Sequence, residues 1–167
     1  MSKYHELIDE FEAGGHKLRT AVTGITPEEA LARPGPGQWS VQELVVHLAD
    51  GDAIAIDRMK RVIAEDDPTL LRADEQAYVE RLHCEAQSLD DAVAIFELTR
   101  RQFARVLHEL DDSEFERVGT HDGELGRITL ANLIKTYSDH LDHHLEFLKA
   151  KLDRLRGSAN KVMKPPC

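Results

Sequence analysis

Two histidines near the end of the chain have a spacing that suits a metal ion. His140 and His144 stand four residues apart in a long segment of helical periodicity, so their side chains lie one above the other on one helix face, about 5–6 Å apart at Cβ. At about 100° per residue, His144 falls about 40° from the centre of the apolar stripe, and His140 about 40° further to the same side. Both imidazoles can therefore face a bundle interior as two ligands of one ion.

The adjacent His143 offers an alternative pairing with His140, at a spacing of three residues. By the same angular count, His143 falls about 140° from the centre of the stripe, on the solvent side of the helix. The sequence therefore predicts that His140 and His144 are the ligand pair.

The third ligand has to come from another helix, because helical bundles build metal sites from side chains on facing helices. His47 is the best candidate, since it lies at the edge of the apolar stripe of a second periodic segment. Taken alone, an interior-edge histidine is more often an ordinary packed residue, and a pair four residues apart does not decide the matter. Three imidazoles together would leave coordination positions open, as catalytic metal sites do.

Four amphipathic segments are predicted to position these histidines, and their apolar residues recur at helical spacing over residues 4–22, 41–64, 89–110 and 130–155. Ser40 and Glu43 have the pattern of a capping box at the start of the second segment, and Trp39 is expected to pack onto Leu44 as a hydrophobic staple. Ser88 and Thr129 are the predicted caps of the third and fourth segments.

The intervening segments are read as connections. Residues 65–87 are predicted to form a crossover with one short helix over 75–81, and the three-glycine segment 118–126 an irregular loop. No strand-like alternation is visible, and a further short helix is expected from Pro27. The sequence predicts an all-α four-helix bundle with a long crossover between helices two and three, as one domain over 1–158 with a flexible tail at 159–167.

Composition narrows the classes of partner. Lys and Arg number 21 against 31 Asp and Glu, a formal net charge of −10, which argues against nucleic acid and anionic lipid surfaces as partners. No segment approaches the ~20 apolar residues of a membrane span, and the N-terminus does not have the pattern of a signal peptide. Cys84, in a polar linker, and Cys167, at the end, do not indicate a disulfide framework, so a cytoplasmic location is expected.

Two charged residues fall inside predicted apolar stripes, Asp52 in the second bundle helix and Arg100 in the third. Because a buried charge is costly unless it is paired, we expect these two side chains to meet. The alternative is that one of them orients a substrate carboxylate. Tyr137, one turn before His140, is a weak candidate for a catalytic donor, although a core position is the simpler explanation. His121 could border the mouth of the pocket.

Two stretches of this sequence resemble the DinB superfamily, which includes YfiT-like metal-dependent hydrolases and thiol-dependent transferases. The stretch GQWSVQELVVHLAD at residues 37–50 is similar to a family pattern of Trp-Ser, a glutamate and a His-Leu pair. The second comprises GRITL at 126–130 and YSDHLDHHL at 137–145, and is similar to the family's Gly-x-x-Thr-Leu and Tyr-x-x-His-x-x-His-His-Leu helix. The resemblance spans nearly the whole chain.

The resemblance implies a metal triad at His47, His140 and His144, with His143 excluded. It further implies a four-helix bundle, a bound nickel or zinc ion, a small-molecule substrate and a homodimer. The ion would activate either water, for hydrolysis, or a low-molecular-weight thiol supplied as a cosubstrate, for transfer. The alternative is a non-catalytic metal-binding or stress-associated scaffold in which the ion supports the bundle.

Overall fold

The computed structural model of the chain describes residues 2–162, with side chains up to residue 157. The α-helices of this part of the chain are α1 (His5–Val22), α2 (Pro27–Leu31), α3 (Val41–Ala64), α4 (Glu75–Arg81), α5 (Leu89–His108) and α6 (Leu130–Val162). Of the predicted tail, residues 163–167 lie outside the described residues, while the backbone of α6 is helical as far as Val162.

The four long helices α1, α3, α5 and α6 form the bundle. Helix α1 packs on α5 and α6, and α3 packs on the same two helices from the other side. Each long helix buries one apolar stripe against its neighbours, which is the periodicity visible in the sequence. The predicted four-helix bundle is therefore confirmed, and none of the described helices is long and apolar enough to cross a membrane.

Capping side chains fix where the bundle helices begin. The Ser40 hydroxyl accepts from the Glu43 amide (3.1 Å), and the Glu43 carboxylate accepts from the Ser40 amide (2.7 Å), so the predicted capping box starts α3. The Ser88 hydroxyl accepts from the Asp91 amide at the start of α5. Thr129 accepts from the Asn132 amide at the start of α6. These caps satisfy amides that the first helical turn leaves without partners.

The predicted ion pair between Asp52 of α3 and Arg100 of α5 is present and fully buried. Both Nε and one terminal nitrogen of Arg100 donate to Asp52 Oδ1, at 2.9 and 2.7 Å. The same guanidinium donates to the backbone carbonyls of Phe11 and Tyr137, which ties α1 and α6 to the pair. The pair is therefore structural, as the sequence indicated.

Gly14 explains how a bundle of this kind accommodates a buried guanidinium. A Cβ at Gly14 would lie 2.4 Å from an Arg100 nitrogen and 2.8 Å from a methyl of Leu141. The glycine weakens α1 as an isolated helix, but it lets the α1 backbone approach the arginine closely.

The crossover between α3 and α5 contains the predicted short helix, α4, at Glu75–Arg81. Cys84 belongs to this crossover and was expected in a polar linker, but its side chain is buried in the hydrophobic core. The crossover therefore packs as part of the domain, and it brings α4 onto α3.

The sequence analysis missed a small sheet. Strand β1 (Thr69–Leu70) of the crossover pairs in parallel with β2 (Val118–His121), and β2 pairs antiparallel with β3 (Arg127–Thr129). Segment 118–126, predicted as an irregular loop, is thus mostly one strand and the turn that follows it, with Gly126 at φ +56°. Strands of two to four residues are too short to show alternation, and the β1–β2 pairing joins segments about 50 residues apart.

Candidate metal centre

Helices α3 and α6 bring the three predicted histidines together. His47 lies on α3 two turns after the Ser40 cap, and His140 and His144 lie on successive turns of α6. The two helices pack against each other, so the three imidazoles converge between them. The three histidines that helix angles and facing helices pointed to therefore do lie together.

The three Nε2 atoms point at a common volume. Nε2 of His144 lies 3.3 Å from Nε2 of His47 and 3.1 Å from Nε2 of His140. The imidazole rings of His140 and His144 are nearly perpendicular, with centroids 4.5 Å apart. His143, by contrast, is exposed, and its ring packs on Phe147.

This arrangement fits a divalent ion. Metal–nitrogen bonds of about 2.0–2.1 Å at tetrahedral angles place neighbouring ligand nitrogens about 3.3 Å apart, close to the observed spacings. Coordination through Nε2 leaves the ring proton on Nδ1. The Nδ1 atom of His144 is buried and has no hydrogen-bond partner among the described residues.

Burial keeps these imidazoles neutral at physiological pH. Desolvation is the main cause that lowers the pKa of His47, His140 and His144 to about 4, and the charge of a neighbouring imidazole contributes in each case. A neutral imidazole has a free lone pair, so all three side chains are in the state that a metal ion requires.

Glu75 of α4 places a carboxylate at the edge of the histidine cluster. Its Oε2 lies 3.7 Å from His47 Nε2. Burial raises the pKa of the Glu75 carboxyl, and the charge of Arg58 opposes that rise. The sequence analysis did not find Glu75, because the docking of α4 over the cluster depends on the whole crossover and leaves no local pattern.

A cavity of about 460 Å³ opens beside His140, and Arg58, Glu75, His121 and Tyr137 contribute to its wall. Tyr137 is buried, with its ring centroid 6.4 Å from that of His140. His121, half-buried in β2, accepts from the Gly123 amide through Nδ1. Both Tyr137 and His121 therefore line the pocket, a question that the sequence alone did not decide.

Arg58 is a further residue that the sequence analysis missed, although a signal existed. It follows His47 by eleven residues, and eleven steps of 100° return to within about 20° of the same helix face. One terminal nitrogen donates to the Tyr137 hydroxyl, and the other donates to the Leu71 carbonyl at 2.5 Å.

A second cavity, of about 520 Å³, has Trp39, Gln76, Phe147 and Lys151 among its lining residues. The Trp39 ring packs in the same hydrophobic cluster as Leu44, in agreement with the predicted staple, and its centroid is also 5.0 Å from that of His47. Neighbouring residues of α4 line the two cavities, Glu75 the first and Gln76 the second.

Asp50 and Asp139 are close to the histidines in the sequence, but neither accepts a hydrogen bond from an imidazole nitrogen within the described chain. Asp139 is exposed and accepts from Lys135 at 2.8 Å. Asp50 is half-buried, burial raises its pKa, and its carboxylate makes no hydrogen bond to the three imidazoles within the described chain. The Asp139 carboxylate therefore faces solvent.

Four long helices around three converging imidazoles define a helical-bundle protein with a three-histidine site. The sequence profile of the DinB superfamily matches residues 10–148. The chain belongs to this superfamily.

Relatives and solved structures agree with that assignment. The chain is 27% identical to the Bacillus subtilis protein named "Putative metal-dependent hydrolase YfiT", over 93% of this chain and 85% of that protein. A protein of Oceanobacillus iheyensis with the same type of name is 27% identical over 90% of this chain and 86% of its own length.

The solved structure of YfiT, described as "a probable metal-dependent hydrolase with an unusual four-helix bundle topology", matches with a TM-score of 0.84. It is 27% identical and covers 94% of this chain and 90% of its own. The DinB-like protein YjoA from B. subtilis shares the fold, with a TM-score of 0.61 at 14% identity over 90% of this chain and 92% of its own.

Proposed function

We propose that this protein is a metal-dependent hydrolase of the DinB type that acts on a small-molecule substrate. The observation that carries the proposal is the convergence of three neutral imidazoles beside a cavity that His140 lines, with His144 Nε2 3.3 Å from His47 Nε2 and 3.1 Å from His140 Nε2. The names of the relatives as metal-dependent hydrolases support it.

We propose nickel or zinc as the ion, held by His47, His140 and His144, because imidazole ligands suit both metals. A divalent ion in such a site supplies a Lewis acid that can activate water near neutral pH. The chain contributes the remaining chemistry. Tyr137 offers a hydroxyl donor in the cavity, and Glu75 offers a carboxylate beside His47 that can accept a proton or orient a substrate.

Hydrolysis is tested with the protein loaded with zinc or nickel and a panel of small esters and amides. The parent is expected to turn over at least one of them, and His140→Ala is expected to lose that activity. His143→Ala is the matched control, because His143 is the exposed neighbour on the same helix. Equal activity in His140→Ala and the parent would contradict the proposal.

Transfer with a low-molecular-weight thiol is the second candidate, and the two cavities favour it. A hydrolase needs room for one organic substrate, whereas a transferase needs room for a thiol and an acceptor. A cavity of about 460 Å³ is lined in part by His140, and one of about 520 Å³ is lined in part by Trp39, whose ring centroid is 5.0 Å from that of His47, so the two together offer both. Turnover of 1-chloro-2,4-dinitrobenzene that requires both added cysteine and the metal would favour transfer.

A non-catalytic scaffold is the remaining alternative. It predicts that chelation of the metal lowers the thermal midpoint strongly while no substrate of either panel turns over. A modest loss of stability together with a complete loss of turnover supports the enzyme.

We further propose that the protein is a cytoplasmic homodimer without nucleic-acid partners. Three large apolar side chains on the outer side of α5 are about half exposed, namely Ile95, Leu98 and Val106, and they support a self-association surface. Sedimentation velocity is expected to show a dimer that Leu98→Glu converts to a monomer. The net charge of −10 supports the absence of nucleic acid.

A further inference from the structure

We infer that the substrate of this site carries a carboxylate group, which Arg58 and Tyr137 bind in the cavity beside His140. The inference rests on the proposed function, because it assigns the substrate class of the same site. Two buried arginines on neighbouring helices, Arg58 and Arg100, differ in their partners.

Arg58 is a buried cation that forms no ion pair within the described chain, although the charge of Glu75 is near enough to interact with it. Its residue is 6% exposed, and its Nε atom is buried without a hydrogen-bond partner among the described residues. None of the ion pairs within 4.0 Å in this part of the chain includes Arg58. Arg100, which is also buried, forms an ion pair with Asp52. An unpaired buried charge is costly, so an anion from outside the chain would stabilise Arg58.

The hydrogen bonds of Arg58 hold its guanidinium in one orientation at the cavity wall. One terminal nitrogen donates to the Leu71 carbonyl, and the other donates to the Tyr137 hydroxyl. Because that hydroxyl accepts from Arg58, its own proton is free for another acceptor. Arg58 and Tyr137 thus present a positive charge and a hydroxyl donor to the same cavity.

The charges that line the cavity disfavour a group with two negative charges. Arg58 and Arg72 share the wall with Glu75 and Glu124, so the wall has no net positive charge to offset a dianion. A guanidinium binds a planar carboxylate well. A phosphate dianion would meet the two glutamates as well as the arginines, and so fits less well.

The position of Tyr137 relates this anion site to the histidines. Tyr137 contacts Arg58 through its hydroxyl, and its ring lies 6.4 Å from the ring of His140. A carboxylate at Arg58 would therefore place the next few atoms of the same molecule beside the three imidazoles.

The test compares butyrate with butyramide, which have nearly the same shape and differ in charge. Binding to the ¹⁵N-labelled full chain is followed by NMR titration, both with zinc and after chelation. Butyrate is expected to bind about tenfold or more tightly than butyramide in both states, because a charge-assisted hydrogen bond contributes that much. Inorganic phosphate is expected to bind less tightly than butyrate.

Arg58→Met is expected to abolish the preference for butyrate. Arg61→Met is the matched control, since Arg61 is an exposed arginine on the same helix whose ion pairs are with Asp57 and Glu65. If Arg58→Met does not fold, Tyr137→Phe is used instead. We expect Tyr137→Phe to reduce the affinity for butyrate by between about twofold and tenfold.

Three results would overturn the inference: equal affinity of the parent for the two probes, tighter binding of phosphate than of butyrate, or an unchanged preference in both Arg58→Met and Tyr137→Phe. The chelated samples separate this question from the proposed function. A parent chain that takes up no zinc but still prefers butyrate refutes the metal site and supports the carboxylate site.

Discussion

Two groups of three potential metal ligands exist among the described residues. Their ligand atoms are similarly close together, but the two groups differ in burial. His47, His140 and His144 converge between α3 and α6, while His5, Asp9 and His108 meet on the surface of α1 and α5. In both groups the potential ligand atoms lie within 4.8 Å of one another. Distance alone therefore does not distinguish a metal site from a surface contact.

Burial distinguishes them. The His47 side chain is 4% exposed, whereas Asp9 is 55% exposed and lies 3.5 and 3.6 Å from the two surface imidazoles. Exposed ion pairs of this length contribute little, because water competes and the side chains lose entropy. The interior group offers neutral nitrogen donors on two packed helices, so binding an ion there requires little reorganisation.

The largest expected difference between the interior and surface groups is in the amount of metal that the protein retains. The parent protein is expected to retain about one nickel or zinc ion per chain after gel filtration, and His47→Ala is expected to retain almost none. His108→Ala, in the surface group, is the control and should retain as much metal as the parent. Elemental analysis measures all three, and equal metal in His47→Ala and the parent would refute the triad.

The second effect concerns the ion pair in the bundle core. Arg100→Met leaves Asp52 buried without its partner, so we expect it to lower the free energy of unfolding by about 3–5 kcal/mol. Asp9→Asn breaks the contacts of the surface group and is expected to change stability very little. Urea unfolding measures both. If Arg100→Met does not fold, Asp52→Asn replaces it, and parent-like stability in either variant would contradict a structural role.

The third effect is the stabilisation that the ion itself provides. At a free zinc concentration of about 100 times Kd, a ligand that binds only the folded chain stabilises it by about 2.7 kcal/mol. Thermal unfolding with zinc and with chelator is expected to differ accordingly in the parent and in His108→Ala. His140→Ala is expected to show no difference, and a zinc response in that variant would indicate binding elsewhere.

Most of the bundle could be predicted because its determinants are local. Helical periodicity and the Ser40–Glu43 box specify where α3 begins, and this also gives the face on which His47 lies. The spacing of His140 and His144 specifies a second face in the same way. The pairing of Asp52 with Arg100 is predictable because each residue places a charge inside an apolar stripe, where a buried charge needs a partner.

The remaining features depend on contacts between distant segments. Glu75 reaches His47 because the crossover folds back over α3, and no periodicity in residues 65–87 encodes that docking. The β1–β2 pairing could not be predicted for the same reason, because it joins distant segments of the chain. Arg58 is different, because its helix face was readable from the sequence, whereas its missing ion partner was visible only in the structure.

The smallest expected effect tests whether the start of α3 positions the interior site. Ser40→Ala and Ser88→Ala each remove a serine hydroxyl that accepts a hydrogen bond from a backbone amide at 3.1 Å. Each substitution is expected to lower the free energy of unfolding by about 1 kcal/mol. Of the two helices that these caps start, only α3 carries a ligand of the interior group, His47, two turns from its cap. Ser40→Ala should therefore weaken zinc binding by less than tenfold but measurably, whereas Ser88→Ala should leave it unchanged. A competition titration with a chromophoric chelator measures both affinities, and equal effects would mean that the cap acts only through global stability.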